Sequence, residues 1–129
     1  MSKVPEQLKY SKEHEWISVI DESTVKIGIT DYAQDALGDI VFVELPEDGA
    51  DLSKDAAFGT IESVKAVSDI YAPISGKISN KNSKLEDDPA VVNSDPYGDG
   101  WLIDLSDISK ADLDSLMNAE QYQEFLTSL

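Results

Sequence analysis

Short β-prone runs, each cut off by proline, glycine or a polar turn, fill the first two-thirds of this chain and leave no room there for a long helix. Val25, Ile27 and Ile29 alternate with Lys26 and Gly28, the pattern of a half-buried strand. Ile40-Val41-Phe42-Val43-Glu44-Leu45 is a second such run and stops at Pro46. Between them Thr30 suits the N-cap of a short helix. Ala33, Ala36 and Leu37 share one face of it, and Gly38 suits the position just past its end. Phe58 to Val64 and Ser68 to Ile74 predict two further strands, the second punctuated by Pro73 and Gly76, and Lys77 to Asn82 continues as a strand into a polar turn. Glu86 to Trp101 is rich in Asp, Pro and Gly and reads as loop; Trp101 to Leu105 returns as a strand. The end is helical: Ser109 with Asp112 forms a capping box ahead of Leu113, and Asn118 with Gln121 forms another ahead of Tyr122 and Phe125. The expectation is a mainly β domain over residues 1–129, a small sandwich or flattened barrel with a short helix after the first strands and C-terminal helices.

A chain of 129 residues can bury one core without disulfides or metals. Ten basic residues, all Lys, stand against 26 Asp plus Glu, for a formal net charge of −16. Phosphate binding needs clustered Lys or Arg, so a nucleic-acid partner is not expected, nor an anionic membrane surface. Residues 31–53 and 85–109 are acidic stretches without a single Lys. They read as solvated faces or as a docking surface for a basic partner. There is no cysteine, which removes thiol catalysis, zinc ribbons, iron–sulfur clusters and disulfides. No run approaches the ~18 apolar residues of a membrane span. Met1-Ser2-Lys3-Val4-Pro5 has neither an apolar h-region nor an Arg-rich leader, so a cytoplasmic location is expected.

Few constellations carry chemistry, and no catalytic residue is assigned. His14, the only imidazole, sits between Glu13 and Glu15 beside Trp16. It reads as a structural histidine, or else as a general base whose pKa its carboxylate neighbours raise. No Ser/His/Asp arrangement is readable. Asn93 to Gly98 places glycine at the sixth position of a calcium-type loop, but Pro96 interrupts it, the twelfth position is Asp104 rather than Glu, and a tight turn is the better reading. No metal is expected, and no glycine-rich phosphate loop exists. Lys65 remains. Two β-prone runs flank Val64-Lys65-Ala66, which predicts a hairpin with Lys65 near its tip, although the turn lacks the usual Gly, Asn or Asp. A lysine on a rigid tip is what a swinging-arm carrier needs, although plain solvation is the commoner reading of a lysine in a turn.

The segment Glu62-Ser63-Val64-Lys65-Ala66, followed by Ser68-Asp69-Ile70 and Ala72-Pro73-Ile74-Ser75-Gly76, resembles the lipoylation hairpin of the glycine cleavage system H proteins. The resemblance continues in order through Leu8-Lys9-Tyr10, Glu13-His14-Glu15-Trp16, Gly28-Ile29-Thr30-Asp31, Ala33-Gln34, Leu37-Gly38-Asp39, Val41 to Pro46, Val92-Asn93-Ser94, Pro96-Tyr97 and Gly100-Trp101. It implies a lipoyl/biotinyl-type flattened barrel, the barrel-sandwich hybrid. It also implies lipoate in amide linkage to Lys65, which would lower the formal charge by one. Gly59, Glu62 and Gly76 would help a lipoate ligase or lipoyl/octanoyl transferase recognise the site. Each also has a plain reading, as a solvated strand carboxylate or as glycines that permit a bulge or turn. The implied partners are a pyridoxal-phosphate glycine decarboxylase (P protein), an aminomethyltransferase (T protein) that passes the one-carbon unit to tetrahydrofolate, and a flavin dihydrolipoamide dehydrogenase (L protein). The chain would be their non-catalytic shuttle for an aminomethyl group. Its loaded arm would fold into a water-poor surface cleft. Glu15 is the expected partner of the arm's amine, with Asp69 nearby; both also read as solvated carboxylates. Some relatives carry His in the segment matching Asp31 to Leu37. Here it holds Tyr32 and Ala36, so the Tyr32 hydroxyl replaces that contact or the contact is absent.

Three alternatives stand beside the shuttle. A lipoate relay, passing the cofactor to other acceptor domains, needs the same hairpin. A biotinyl domain or a dehydrogenase-complex lipoyl domain is disfavoured by Val64 and Ala66, where biotin sites carry Met, and by the additional N-terminal and helical segments. A self-sufficient enzyme built on His14 is the fourth reading.

Overall fold

Inward-facing isoleucine, leucine and valine on two antiparallel sheets decide the architecture. The computed structural model describes residues 3–129; Met1 and Ser2, part of the leader reading, lie outside the described residues. The elements run β1 (Lys9–Tyr10), β2 (Glu15–Val19), β3 (Val25–Ile29), α1 (Asp31–Leu37), β4 (Ile40–Glu44), β5 (Asp51–Leu52) and β6 (Ala57–Ser63). They continue with β7 (Val67–Tyr71), β8 (Gly76–Lys81), α2 (Lys84–Asp87), α3 (Val91–Ser94), β9 (Ile103–Ser106), α4 (Lys110–Asp114) and α5 (Ala119–Thr127). Six strands form one sheet in the order β1-β2-β3-β9-β8-β5, and three form another in the order β4-β6-β7. Neither closes into a barrel, and the mainly β fold with a few short helices is that of a flattened sandwich.

Ile17, Ile27, Ile78, Ile103 and Leu105 of the larger sheet meet Ile40, Val43, Ile61 and Ile70 of the smaller one in a common core. Each such side chain contributes roughly 1.5–3 kcal/mol when fully buried. A second cluster joins Leu8, Tyr10 and Trp16 to Ala119 and Tyr122, and so seats α5 against the edge strand β1.

Thr30 caps α1 through its hydroxyl, which accepts the Ala33 N–H, and Gly38 ends it at φ 80°. The Asn118–Gln121 capping box forms at α5. The Ser109–Asp112 box does not: Ser109 makes no side-chain cap, and Asp112 instead accepts the Ser75 N–H at 3.3 Å. The segment read as loop from Glu86 to Trp101 contains the second half of α2 and all of α3. Leu85 and Val92, both fully buried, pull these single turns onto the core. The paired part of the last strand starts at Ile103 rather than Trp101, and the two-residue strands β1 and β5 are too short to leave a pattern in sequence.

Gly28 faces Trp16 across the β2–β3 ladder, and a Cβ there would lie 2.6 Å from the indole ring. The ring cannot yield, being 1% exposed and tied through Nε1 to the Pro96 carbonyl at 2.9 Å. Gly28→Ala should therefore destabilise the fold by about 1–3 kcal/mol through overpacking. Chemical denaturation followed by tryptophan fluorescence checks this, and an unchanged midpoint would refute the packing account.

Candidate functional site

Strands β6 and β7 pair from Ala57 and Tyr71 up to Glu62 and Val67, and Ser63 N–H donates to the Ala66 carbonyl at 2.8 Å. Val64 and Lys65 are thus the two-residue tip of a hairpin. Tight hairpin turns ordinarily need positive φ at the tip, hence Gly or Asn. Here neither tip residue adopts positive φ. The Ser63 hydroxyl holds the turn instead, accepting the Ala66 N–H at 3.0 Å and lying 3.4 Å from the Lys65 nitrogen. Val64 N–H donates to the Asp39 carbonyl at 3.0 Å, which staples the tip to the segment after α1. Lys65 is exposed, as is Val64 at 71%. The lysine stem runs over Gly38: a Cβ on that glycine would lie 3.3 Å from Lys65 Cε and 3.9 Å from Nζ.

Asn93 braces this corner. Its side-chain oxygen accepts the Ile40 N–H at 2.9 Å, and its amide donates to Gly38 O at 2.8 Å and Gln34 Oε1 at 2.9 Å. That commitment uses both ends of the Asn93 amide within the fold. Among the described residues no group of three or more His, Cys, Asp or Glu could hold a metal, and no helix is long and apolar enough to cross a membrane.

Glu62 is half-buried between its neighbours Phe42 and Val67. Gly59 lies at a register shift where a Cβ would sit 2.6 Å from the Glu44 carbonyl. A Cβ on Gly76 would lie 2.7 Å from Leu105 and from the Ser106 carbonyl. Both glycines allow close approach of neighbouring strands, and neither touches the tip.

Beside the hairpin opens a cleft of about 180 Å³, walled by His14, Glu15, Tyr32, Leu37, Ile61 and Asp69 among others. The fold therefore brings Glu15, Asp69 and Tyr32 to one cavity, while Glu62, Gly59 and Gly76 stay outside it. Asp69 is exposed, but Glu15 is no solvated carboxylate: it is 2% exposed. Ser11 Oγ donates to it at 2.5 Å, and the Tyr71 N–H also supports it. Burial pushes its pKa up to about 7 against the pull of those hydrogen bonds, with Glu13 and Asp55 adding like charge. A second cleft of about 250 Å³, bordered by Ser11, Lys54, Asp55 and Pro73, reaches the same Glu15 from the other side.

His14 fits the structural reading rather than the general-base one: it is hydrogen-bonded to Tyr122 and packed against aromatic rings. Burial lowers its pKa, outweighing the raising effect of Glu13, so it is not the raised-pKa base considered above. It also contributes an imidazole to the cleft wall from the turn before β2, with the Tyr32 ring 4.7 Å away. The sequence reading assigns no role at the site to Ser63, Gly38 or Tyr122, the residue hydrogen-bonded to His14. Serine at the first position of a tight turn was the available signal for Ser63; nothing local to Tyr122 pointed across to His14.

Because the folded chain keeps the Glu15 proton to about pH 7, while an ordinary glutamate loses it near 4.5, ionising Glu15 costs stability as pH rises through that window. Relative to Glu15→Gln, wild-type stability should fall by up to about 3 kcal/mol from acid to neutral pH. Denaturant titrations of both proteins across this range measure the difference, and a pH-independent gap would contradict a raised Glu15 pKa.

Comparison with known proteins places this geometry in a family. The sequence profile of the Glycine cleavage H-protein family matches residues 8–129. A glycine cleavage system H protein of Coprothermobacter proteolyticus is 52% identical over 126 residues, covering 96% of this chain and 98% of its own length. One from Halorhodospira halophila is 48% identical over 126 residues, covering 98% and 97%. The crystal structure of a glycine cleavage system H protein from Mycobacterium marinum superposes with a TM-score of 0.85 at 38% identity, covering 98% of this chain and all of that one. With an exposed lysine at a stapled hairpin tip beside a carboxylate-walled cleft, and with this match over nearly its full length, the chain belongs to the glycine cleavage H-protein family.

Proposed function

We propose that this chain is the lipoyl-bearing shuttle of a glycine cleavage system, working as one carrier domain over residues 1–129 with Lys65 as the attachment point. The observation that carries this reading is the free Lys65 amine on a tip fixed by Ser63 and Asp39, next to a cleft that the same hairpin helps to wall. The residues fit a long, partly apolar arm. Gly38 leaves the lysine stem unobstructed, and Leu37 and Ile61 give the cleft an apolar lining between polar groups.

Lipoate attached through an amide supplies a sulfur pair that a cysteine-free chain lacks, able to take up and hand on a one-carbon amine. The chain's own residues bind and shield. Glu15 and Asp69 hold the cargo amine as an ammonium, and that charge in turn favours ionised Glu15. Tyr32, Leu37 and Ile61 exclude water from the cleft. Gly59, Glu62 and Gly76 shape the hairpin that a lipoate ligase or lipoyl/octanoyl transferase reads. The chain is a substrate rather than a catalyst, shared by the decarboxylase (P protein), the aminomethyltransferase (T protein) and dihydrolipoamide dehydrogenase (L protein) in the cytoplasm. Its acidic surface meets basic surfaces on those partners.

Intact-mass measurement after expression with lipoate tests the attachment. Wild type should gain one lipoyl increment and Lys65→Arg none; an increment on the variant, or none on wild type, would overturn the assignment. Turnover reconstituted with the decarboxylase should weaken as salt rises, since exposed charges are screened over ~8 Å at physiological ionic strength and over less above it. Salt-independent turnover would remove the electrostatic docking.

A further inference from the structure

The C-terminal helix reaches the cleft through one hydroxyl. Tyr122 of α5 is fully buried and stacked on Tyr10, with ring centroids 4.6 Å apart. Its Oη lies 2.8 Å from His14 Nδ1 and 2.8 Å from Thr30 Oγ1. Thr30 Oγ1 also accepts the Ala33 N–H and so caps α1, while Thr30 N–H donates to the His14 carbonyl at 3.0 Å. One arrangement of protons satisfies every group when His14 is neutral: Ala33 N–H to Thr30, Thr30 O–H to Tyr122, Tyr122 O–H to Nδ1. These contacts end on both walls of the cleft, His14 and Glu15 on one side, Tyr32 and Ala33 on the other. His14 also sits at φ 68°, a left-handed conformation that a non-glycine residue keeps only where its surroundings impose it.

We propose that Tyr122 is a positioning residue: its hydroxyl sets the spacing between the His14–Glu15 wall and α1, so α5 fixes the width of the space that receives the arm. The purpose of that spacing rests on the carrier reading above. Tyr122 Oη joins the two walls through a single atom, and through it a helix outside the sandwich bears on the cleft.

Tyr122→Phe keeps the ring and its stacking and removes only the hydroxyl. Leu126→Ala, in the same apolar cluster and without a polar side-chain atom, serves as the control for plain loss of α5 packing. In the unmodified chain, Tyr122→Phe should shift the His14 ring-nitrogen resonances and speed exchange of the Ala33 amide roughly fivefold, the size of one neutral hydrogen bond. Leu126→Ala should move neither. In the lipoylated, cargo-loaded chain, Tyr122→Phe should release ammonia to water faster than wild type, again by about fivefold, and Leu126→Ala should match wild type. Unshifted His14 and Ala33 signals in Tyr122→Phe would overturn the proposal, as would equal ammonia release from the two variants. A wild-type chain that holds its cargo no longer than free dihydrolipoamide does would sink the carrier reading, and the unmodified-chain resonances tell that failure apart from one of Tyr122 itself.

Discussion

Burial of the two inner sheet faces is the interaction on which the rest depends. Ile61 and Ile70 look inward from β6 and β7 and are almost fully buried, so these strands are fixed to the larger sheet along one side. Period-two alternation then sends Phe42, Glu62 and Val67 outward as one cross-strand row, with Glu44, Thr60 and Asp69 as the next. A slip of one residue would bury Glu62 and expose Ile61, so the register of the hairpin is held by the hydrophobic effect well below its tip. Lys65 owes its fixed place to isoleucines that never touch it.

The charge distribution adds little to this framework. Lys26 pairs with Asp104 at 3.2 Å and sits 3.8 Å from the Trp101 ring centroid. Lys81 lies within 3.4 Å of Glu47, and Lys84 is 3.6 Å from Asp99. The exposed Lys84–Asp99 pair is worth ~0–1 kcal/mol. Most carboxylates have no partner available, because 26 acids face ten lysines. Their effect is on association and self-repulsion rather than on the fold. Glu15 is the exception, since a carboxyl taken out of water holds its proton toward neutral pH.

Much of this was legible in the residues. Thr30 and Gly38 bounded α1 correctly because capping is local, and the same holds for Asn118 with Gln121. The hairpin around Lys65 followed from two flanking β-prone runs. The failures share a cause. Leu85 and Val92 became helical turns because the core draws them in, a tertiary effect that Asp, Pro and Gly composition hides. Asp112 left its expected cap for the Ser75 backbone, a partner 37 residues away. Glu15 lies on β2, a strand absent from the sequence reading, where it is buried and bonded to the Ser11 hydroxyl. The cleft is assembled from the turn before β2, α1 and the β6–β7 hairpin, and no spacing in the chain announces that meeting.

The hairpin tip has a consequence for any enzyme that works on it. The amides of Val64 and Ala66 are already engaged, by Asp39 and the Ser63 hydroxyl, and the Ala66 carbonyl accepts from Ser63. A visiting protein therefore finds few main-chain donors or acceptors to borrow at the apex, and extending the ladder there as an extra strand would first require unravelling the bend. Recognition falls to contour and to outward side chains, with an apex rigid enough that one amine can be addressed while nine other lysines are passed over.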